Sequence, residues 1–354
     1  MSNAASELAA LSVPIVGAPM AGGPSTVRMA GAVSDAGGLG FLAGGYLSAS
    51  GLGEQIAELR AITERPFGVN LFIPAPRPAD PRAVSVYLNE ISGEALRQQA
   101  ELGEPRFDED DFSAKLELVL AERVPVLSFT FGCPSEQTLA RLREAGLSAW
   151  VTVTTLCEAR RAQAAGADAL ILQGIEAGGH RSSWTDEDES GHGLIALLRL
   201  VGSEISLPLI AAGGIADGAA LAAVLCAGAS AAQVGTALML SPEAGTVPSQ
   251  RELFAEHRPT RLTRAFSGRL ARGILNRFMA EHGANAPSAY PEINNATSPL
   301  RARARERGDH ETFNLWAGEA YELAREGPVA EIVSAMGAEA RQVLRELAER
   351  YASG

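Results

Sequence analysis

Short apolar segments alternate with longer alanine-rich segments through the first two thirds of the chain. Most of these segments are apolar at nearly every position, which is typical of parallel strands buried on both faces. The stretches between them carry helical patterns, and several end in glycine, which is favoured just past the last turn of a helix. The apolar segments span residues 14–20, 39–45, 66–74, 124–132, 148–154, 167–174, 207–215 and 231–239. Repeated units of strand and helix in this number predict an α/β fold, a (β/α)8 TIM barrel.

A doubly wound parallel sheet is the alternative architecture, but the number of units and the lack of G-x-G-x-x-G after the first strand disfavour it.

Two regions interrupt the alternation of strand and helix patterns. The proline-rich and acidic stretch after the third strand, up to residue 112, is expected to cover the active-site end of the barrel. Residues 241–320 are expected to form a smaller, mainly helical inserted subdomain over the active site. Residues 1–240 and 321–354 then form the barrel, and the amphipathic stretch 328–351 supplies its closing helix.

Charge and cysteine content exclude several classes of protein. The 354 residues carry a formal net charge of −12, which argues against a nucleic-acid partner. The arginine-rich run 301–307 is interpreted as a solvated helix face. Three widely separated cysteines without a C-x-x-C pair favour neither a disulfide framework nor a zinc site. Without a signal-peptide pattern or an apolar run of about 18 residues, we expect a cytoplasmic protein that binds no membrane. The sequence leaves open whether the protein forms a homodimer.

Two glycine-containing loops follow the seventh and eighth predicted strands. They read AAGGIADG at 211–218 and QVGTALM at 233–239, and Asp217 occupies the position of a helix N-cap. Gly213, Gly214 and Gly235 let backbone N–H groups approach a ligand closely. Because barrels commonly bind phosphate at these two loops, the pair predicts a phosphate site. The alternative is that the glycines only make tight turns.

A histidine follows the sixth predicted strand in the segment LQGIEAGGHRSSW at 172–184. Gln173 ends the strand, and Gly178 and Gly179 form a flexible corner before His180. A histidine at the C-terminal end of a barrel can act as an acid, a base or a hydrogen-bond donor. A structural loop histidine is equally consistent with the pattern, and His192 is interpreted as such a loop residue.

Three further residues suit the binding of a flat ring. Pro19 and Met20 follow the first strand in GAPMAGGPST, and Asn70 in the third strand offers an amide that both donates and accepts. The sequence contains no G-x-S-x-G, H-E-x-x-H or Walker motif and no carboxylates at metal-ligand spacing. We therefore predict no metal, and chemistry carried out by an organic cofactor.

Taken together, these blocks resemble the nitronate monooxygenase family, also called 2-nitropropane dioxygenases. The resemblance rests on PIVGAPMAGGPST, PFGVNLFIP, GADALILQGIEAGGHRSSW, PLIAAGGI and QVGTALML, from about residue 14 to 240, and resumes weakly at FNLWAGEAY (313–321). It implies an FMN-binding barrel with a smaller domain. It also implies oxidation of alkyl nitronates, and of nitroalkanes, by O2 to a carbonyl compound and nitrite.

The resemblance also implies roles for individual residues. His180 corresponds to the active-site histidine of the family. The flavin ring would contact the loop after the first strand, the amide of Asn70 and the loop after the sixth strand. The ribityl phosphate would lie on the loops after the seventh and eighth strands. The implied cofactor-binding residues are Ala18, Pro19, Met20, Asn70, Gln173, Gly178, Gly179, Gly213, Gly214, Gln233, Val234, Gly235 and Thr236.

The chain departs from the family pattern after the fourth strand. Many relatives carry a lysine there, whereas this chain reads LSFTFGCPS, with Ser128 and no lysine. An anionic nitronate would then be expected to rely on His180 and Arg181. Trp316 and Tyr321 are expected either to line the pocket or only to pack against other side chains.

Two other enzyme classes stay open on sequence grounds. An NAD(P)H-dependent FMN reductase, acting on enoyl thioesters or quinones, would share the barrel and the phosphate loops. A non-redox phosphate-binding barrel would need an acid and a base, for which Asp35, Glu176 and His180 are available.

Overall fold

The structure, a computed structural model, describes residues 3–186 and 191–351. Each of the eight predicted apolar segments contains a parallel strand. In space the strands follow the order β1-β9-β8-β6-β5-β4-β3-β2, and a bridge between Val16 and Leu39 links the two ends of the sheet. The (β/α)8 barrel is therefore confirmed. The strands are β1 (Ile15–Gly17), β2 (Gly40–Ala43), β3 (Phe67–Phe72), β4 (Val126–Thr130), β5 (Ser148–Val153), β6 (Ala169–Gln173), β7 (Gly179–His180), β8 (Leu209–Ala212), β9 (Ala231–Val234), β10 (Thr260–Thr263) and β11 (Ala271–Ile274).

Helices follow each barrel strand and pack on the outside of the sheet. Several begin at side-chain caps, as at Thr26, Ser135 and Asp217, whose oxygens accept a hydrogen bond from the first turn. The helices are α1 (Asn3–Ala9), α2 (Val27–Asp35), α3 (Ala49–Ile62), α4 (Pro81–Glu90), α5 (Ser92–Gln98), α6 (Phe112–Ala121), α7 (Glu136–Glu144), α8 (Leu156–Ala165), α9 (Leu194–Gly202), α10 (Gly218–Cys226), α11 (Pro248–Glu252), α12 (Arg277–His282), α13 (Glu292–Glu306) and α14 (Val329–Tyr351). The last of them, α14, packs against α10 and α2 and so takes the place of the eighth barrel helix.

The core has two layers. One lies between the strands and the outer helices, where both faces of the strands meet apolar side chains. The other fills the inside of the barrel, where the rings of Phe41 and Trp150 lie 5.7 Å apart and Leu8 of α1 packs beneath them. The amino-terminal end of the barrel is thus closed by side chains, and space for a ligand remains at the opposite end.

A second layer of structure covers that opposite end. β10, β11 and β7 form a small antiparallel sheet, so residues 241–320 contribute strands as well as helices. Helices α4 and α5 pack against α13 around a shared apolar cluster that includes Tyr87, Phe266 and Phe278. The excursion after β3 therefore belongs to the same layer as the insert after β9.

Other sequence expectations concern the surface of the molecule. In residues 3–186 and 191–351, none of the helices combines the length and apolar character needed to cross a bilayer. Cys133, Cys157 and Cys226 are free thiols. In the acidic stretch 185–193, residues 187–190 lie outside the described part of the chain. Asp186 accepts hydrogen bonds from Arg264 and from the amide of Leu270, so this residue ties the loop after β7 to the insert.

Candidate active site

A cavity of about 1160 Å³ opens at the carboxyl ends of the barrel strands, beneath the second layer. This is the end of a barrel where ligands bind. One predicted site residue does not line it: the side chain of Val234 packs in the core, and its carbonyl accepts the amide of Ala18 at 2.8 Å. The predicted residues that do line it are Ala18, Pro19, Met20, Asn70, Gln173, Gly178, Gly179, His180, Gly213, Gly214, Gln233, Gly235 and Thr236.

The loops after β8 and β9 present unused hydrogen-bonding groups to this cavity. Gly213 and Gly214 adopt φ values of +110° and +68°, a turn that side chains disfavour. Within the described residues, the amides of Gly214, Gly235 and Thr236 donate to no acceptor. Because these half-buried amides line the cavity, they are available to donate to an anion with several oxygens.

Two buried side-chain oxygens at the same end also lack partners. Oε1 of Gln233 and Oγ1 of Thr246 make no hydrogen bond among the described residues, and both residues line the cavity. A buried polar atom without a partner is costly, which favours a ligand that supplies the missing hydrogen bonds. Gln233 was predicted from the sequence, whereas Thr246 lies in the insert and carried no local signal.

Asn70 sits deep in the cavity with its orientation fixed. Its Nδ2 donates to Oγ of Ser128 and to Oγ1 of Thr130, both at 2.9 Å. Oδ1 is therefore turned toward the remaining space and is available to accept a hydrogen bond from a ligand. Ser128, inside β4, is thus used to orient this amide.

Gln173 holds the segment that carries His180. Its Nε2 donates to the carbonyl of His180 at 3.0 Å, and its Oε1 accepts the amide of Ser182 at 2.9 Å. Arg181 donates to Oε1 of Gln173 and to the carbonyl of Gly174, and its side chain is only 3% exposed. The expectation that Arg181 helps to bind an anion is therefore wrong, because its guanidinium braces the loop behind the cavity.

His180 projects into the cavity from β7, which pairs with β11 of the insert. Its Nε2 lies 2.8 Å from Oγ of Ser267, and its ring packs against Phe131, Tyr290 and Trp316 at 5.6–5.8 Å between ring centres. Burial, together with the nearby charges of Arg269 and Arg301, lowers the pKa of His180 to about 3. The imidazole is therefore neutral at physiological pH.

Trp316 and Tyr321 both line the cavity, as one of the two sequence interpretations proposed. Tyr321 also donates its hydroxyl to the carbonyl of Arg258 at 2.7 Å and packs on Phe254, so it has a packing role as well. Gly178, in the loop after β6, explains how the segment that follows Trp316 can lie so close to that loop. A Cβ on Gly178 would collide with the backbone of Ala317 and Gly318, so glycine is required there for packing as much as for a ligand.

The arginine-rich run of α13 is not a solvated face. Arg301 and Arg305 line the cavity, whereas Arg303 faces outward and pairs with Glu306. Burial lowers the pKa of Arg301 to about 10 and lowers that of Arg305, and each loses part of its hydration inside the protein. The sequence interpretation was wrong because four-residue spacing places 301 and 305 on one face, and packing turns that face inward.

Lys115, the chain's lysine, does not replace the cation missing after β4. Its side chain is 1% exposed, and Nζ binds Oδ2 of Asp110 at 2.7 Å and the carbonyl of Gly44 at 2.8 Å. Oδ1 of Asp110 accepts the amide of Tyr46. Lys115 thus joins the loops after β2 and β3 at the cavity rim.

The acid and base needed by a non-redox barrel enzyme do not come together. Asp35 accepts a hydrogen bond from Thr63, and its pocket lies at the amino-terminal end of the barrel with Glu7 and Ser12. Glu176 accepts the amide of Leu194 at the start of α9. Neither carboxylate lines the cavity with His180, which removes the basis for that alternative.

Potential metal ligands meet at one place among the described residues, outside this cavity. Glu94, Glu281 and His282 lie close together, but Arg277 already forms ion pairs with both carboxylates. Their negative charge is therefore compensated within the protein.

The fold is a (β/α)8 barrel with a large cavity at the carboxyl ends of its strands. The family model described as nitronate monooxygenase matches residues 5–339. A nitronate monooxygenase of Paraburkholderia phytofirmans is 40% identical over 346 residues, which cover 94% of each chain. Nitroalkane oxidase from Streptomyces ansochromogenes superimposes with a TM-score of 0.94 at 46% identity, over 97% of this chain and 99% of that one. FabK from Thermotoga maritima gives 0.78 at 26% identity, over 99% of both chains.

This chain belongs to the nitronate monooxygenase family. It is a flavin-dependent oxidoreductase that acts on a small-molecule substrate.

Proposed function

We propose that the enzyme binds FMN and oxidises alkyl nitronates with O2 to a carbonyl compound and nitrite. The observation that carries the proposal is His180, a neutral imidazole fixed at the wall of a large cavity by Ser267 and three aromatic rings. Its family relatives are named for nitronates and nitroalkanes, and both substrate types suit this site. A nitronate is already carbanion-like, so its oxidation requires an electron acceptor and a binding site more than a strong base.

FMN is the form of flavin that the residues favour. The unpaired amides of Gly214, Gly235 and Thr236 would hold its phosphate, with Gln233 and Thr246 supplying hydrogen bonds. Ala18, Pro19 and Met20 would contact the ring, and Oδ1 of Asn70 would accept a hydrogen bond from its polar edge. Gln173, Gly178, Gly179 and Gly213 would shape the remaining walls. Val234 would take part only through its backbone.

The bound flavin supplies the electron acceptor, and His180 supplies hydrogen bonding and proton transfer. Ser267 has one hydroxyl proton, which goes either to Nε2 of His180 or to the carbonyl of Arg269 at 3.2 Å. In the second arrangement the imidazole carries its proton on Nε2, and Nδ1 is left with a free lone pair. That lone pair would remove the α-proton of a neutral nitroalkane, whereas a nitronate would need none removed.

A nicotinamide-fed FMN reductase is the second candidate function. Its support is the similarity to FabK, which covers the whole chain at lower identity than the nitroalkane oxidase. The phosphate loops would serve either enzyme, so the cavity alone does not separate the two.

Nitrite release tests the first proposal. The FMN-loaded protein is mixed in air with ethyl nitronate or with nitroethane. Nitrite formation and oxygen uptake are measured for wild type and His180→Asn. We expect nitrite from the wild type and a loss of about 100-fold or more in kcat/KM with nitroethane in the variant, since general-base catalysis contributes about that much. FMN absorbance should be retained. If the wild-type protein released no nitrite in an oxygen-dependent reaction, the proposal would be rejected.

A further inference from the structure

Three aromatic side chains, Tyr46, Phe72 and Phe131, form a continuous aromatic strip along the wall of the cavity. The ring of Phe131 lies 5.8 Å from that of His180 and 4.6 Å from that of Phe72, measured between ring centres. The ring of Tyr46 lies 5.6 Å from that of Phe72. Phe72 and Phe131 are buried, whereas Tyr46 is 40% exposed. The wall beside the active-site histidine is therefore apolar and leads toward solvent.

Two rings of the aromatic strip are carried by residues in the left-handed backbone region. The φ values are +68° for Tyr46 and +75° for Phe131. Glycine, asparagine and aspartate tolerate this region, whereas a bulky aromatic residue adopts it only at a cost in conformational free energy. Residues with such strain cluster at ligand sites, where the surrounding structure holds them in place. The backbone of Tyr46 and Phe131 therefore points to a role in binding.

Contacts from outside the aromatic strip fix the same two residues. The amide of Tyr46 donates to Oδ1 of Asp110 at 2.8 Å. The guanidinium carbon of Arg269, a buried residue, lies 4.0 Å from the ring centre of Phe131. Both rings are thus held in position before a ligand arrives, which lowers the entropy that binding costs.

Phe72 connects the aromatic strip to the proposed flavin site. Phe72 and Asn70 are two residues apart on β3, so their side chains point to the same face of the sheet, and both line the cavity. A Cβ on Gly45 would overlap the ring of Phe72, so glycine leaves space for that ring. A substrate that reacts next to His180 therefore has the rings of Phe131 and Phe72 beside the rest of its chain.

The cavity also has room for a substrate longer than nitroethane. Its volume of about 1160 Å³ exceeds the range of about 300–1,000 Å³ that is typical of a pocket for one drug-sized ligand. Space therefore remains for a hydrocarbon chain beside a bound mononucleotide.

We propose that Tyr46, Phe72 and Phe131 form a subsite for the hydrocarbon chain of the substrate, which makes a longer nitroalkane, such as 1-nitropentane, a better substrate than nitroethane. The proposal rests on the proposed function, because it concerns the chain of the same substrate. Every methylene group that moves from water to an apolar wall raises the affinity about 4-fold. The aromatic strip thus sets the chain length that the enzyme prefers.

Binding of unreactive analogues tests the subsite without turnover. A primary amide has the planar shape of a nitro group, so FMN-loaded protein is titrated with propanamide and with hexanamide by calorimetry. Hexanamide has three more methylene groups, and we expect the wild type to bind it about 10- to 60-fold more tightly. Equal affinities for the two amides, or no measurable binding of hexanamide, would overturn the subsite.

Asparagine variants remove one ring each but suit the backbone, because asparagine tolerates a positive φ. Tyr46→Asn and Phe131→Asn should retain FMN and lower the preference for hexanamide about 4- to 16-fold, the contribution of one or two methylene groups. Tyr351→Asn is the matched control, because it removes the same ring from the end of α14, where the residue is 74% exposed. An unchanged preference in both cavity variants would overturn the subsite. If Phe131→Asn fails to fold, the half-exposed Tyr46 decides the question alone.

A kinetic comparison separates this proposal from the proposed function. The ratio of kcat/KM for 1-nitropentane to that for nitroethane is measured in the wild type and in each variant. The ratio should be about 10 to 60 in the wild type, fall about 4- to 16-fold in Tyr46→Asn and stay constant in Tyr351→Asn. Equal kcat/KM values for the two substrates in the wild type reject the subsite and leave the proposed function standing. If no nitro compound reacts, the proposed function fails, and the amide titrations alone decide the subsite.

Discussion

The imidazole of His180 and the hydroxyl of Ser267 lie 2.8 Å apart, and they come from different parts of the chain. His180 lies on β7, between barrel strands β6 and β8, whereas Ser267 belongs to the insert after β9. The insert therefore orients the active-site histidine and does more than cover it.

Ser267→Ala is expected to lower kcat/KM about 2- to 10-fold, because one neutral hydrogen bond to the ring is lost. Ser267→Thr retains a hydroxyl and should recover activity, which a purely structural defect would not do. Steady-state kinetics with nitroethane, with FMN content measured in parallel, checks this. Ser203→Ala, on the surface, should behave as wild type. An unchanged kcat/KM in Ser267→Ala would show that the ring needs no such partner.

The low pKa of His180 makes stability depend on pH. An unfolded histidine binds a proton below about pH 6.5, and the folded His180, with a pKa of about 3, does not. Stability is thus lost as pH falls through this window. Between about pH 7.5 and about pH 5 the wild type should lose about 2 kcal/mol more than His180→Asn in urea unfolding. Equal losses in the two proteins would mean that the histidine titrates normally.

Lys115 and Asp110 form a buried ion pair at the cavity rim. Lys115→Met leaves a carboxylate with most of its hydration removed, and the free energy of unfolding should fall by about 3 kcal/mol. The double variant with Asp110→Asn should recover much of that loss. Arg60→Gln, which breaks an exposed pair with Glu122, is the control and should cost less than about 1 kcal/mol. If Lys115→Met were as stable as Arg60→Gln, Lys115 and Asp110 would not form a buried ion pair.

Gly178 approaches the backbone of Gly318 too closely for any side chain. Gly178→Ala should lower the free energy of unfolding by about 1–3 kcal/mol and weaken FMN binding, because the loop after β6 must shift. Gly93→Ala is the matched substitution in α5, where an added methyl meets no atom within 4 Å, and it should be neutral or slightly stabilising. Thermal unfolding and flavin titration of the two variants decide the point.

The barrel was predictable because its strands are buried on both faces, so a largely apolar run identifies each one. Glycines after the seventh and eighth barrel strands likewise indicated two loops that line the cavity. Ser267 and Thr246 could not be found in this way, since each lies in the insert and reaches the cavity only through tertiary packing. The outward-facing Arg303 and the inward-facing Arg301 look alike in sequence, and only the packing of α13 distinguishes them.

For Arg181, the sequence did contain a signal that its side chain points away from the cavity. It directly follows His180 in an extended segment, where neighbouring side chains point to opposite faces. A histidine directed into the cavity therefore implies that the next residue points away from it. Two arginines that do line the cavity, Arg301 and Arg305, lie on α13 instead.

Anaerobic reduction of the bound flavin tests the central claim most directly. FMN-loaded protein is mixed without oxygen with ethyl nitronate, and in separate experiments with NADH and NADPH, while the flavin absorbance is followed. We expect the nitronate to bleach the flavin rapidly and the nicotinamides to react much more slowly. Rapid bleaching by NADH or NADPH, with none by the nitronate, would contradict the account and identify the enzyme as a reductase.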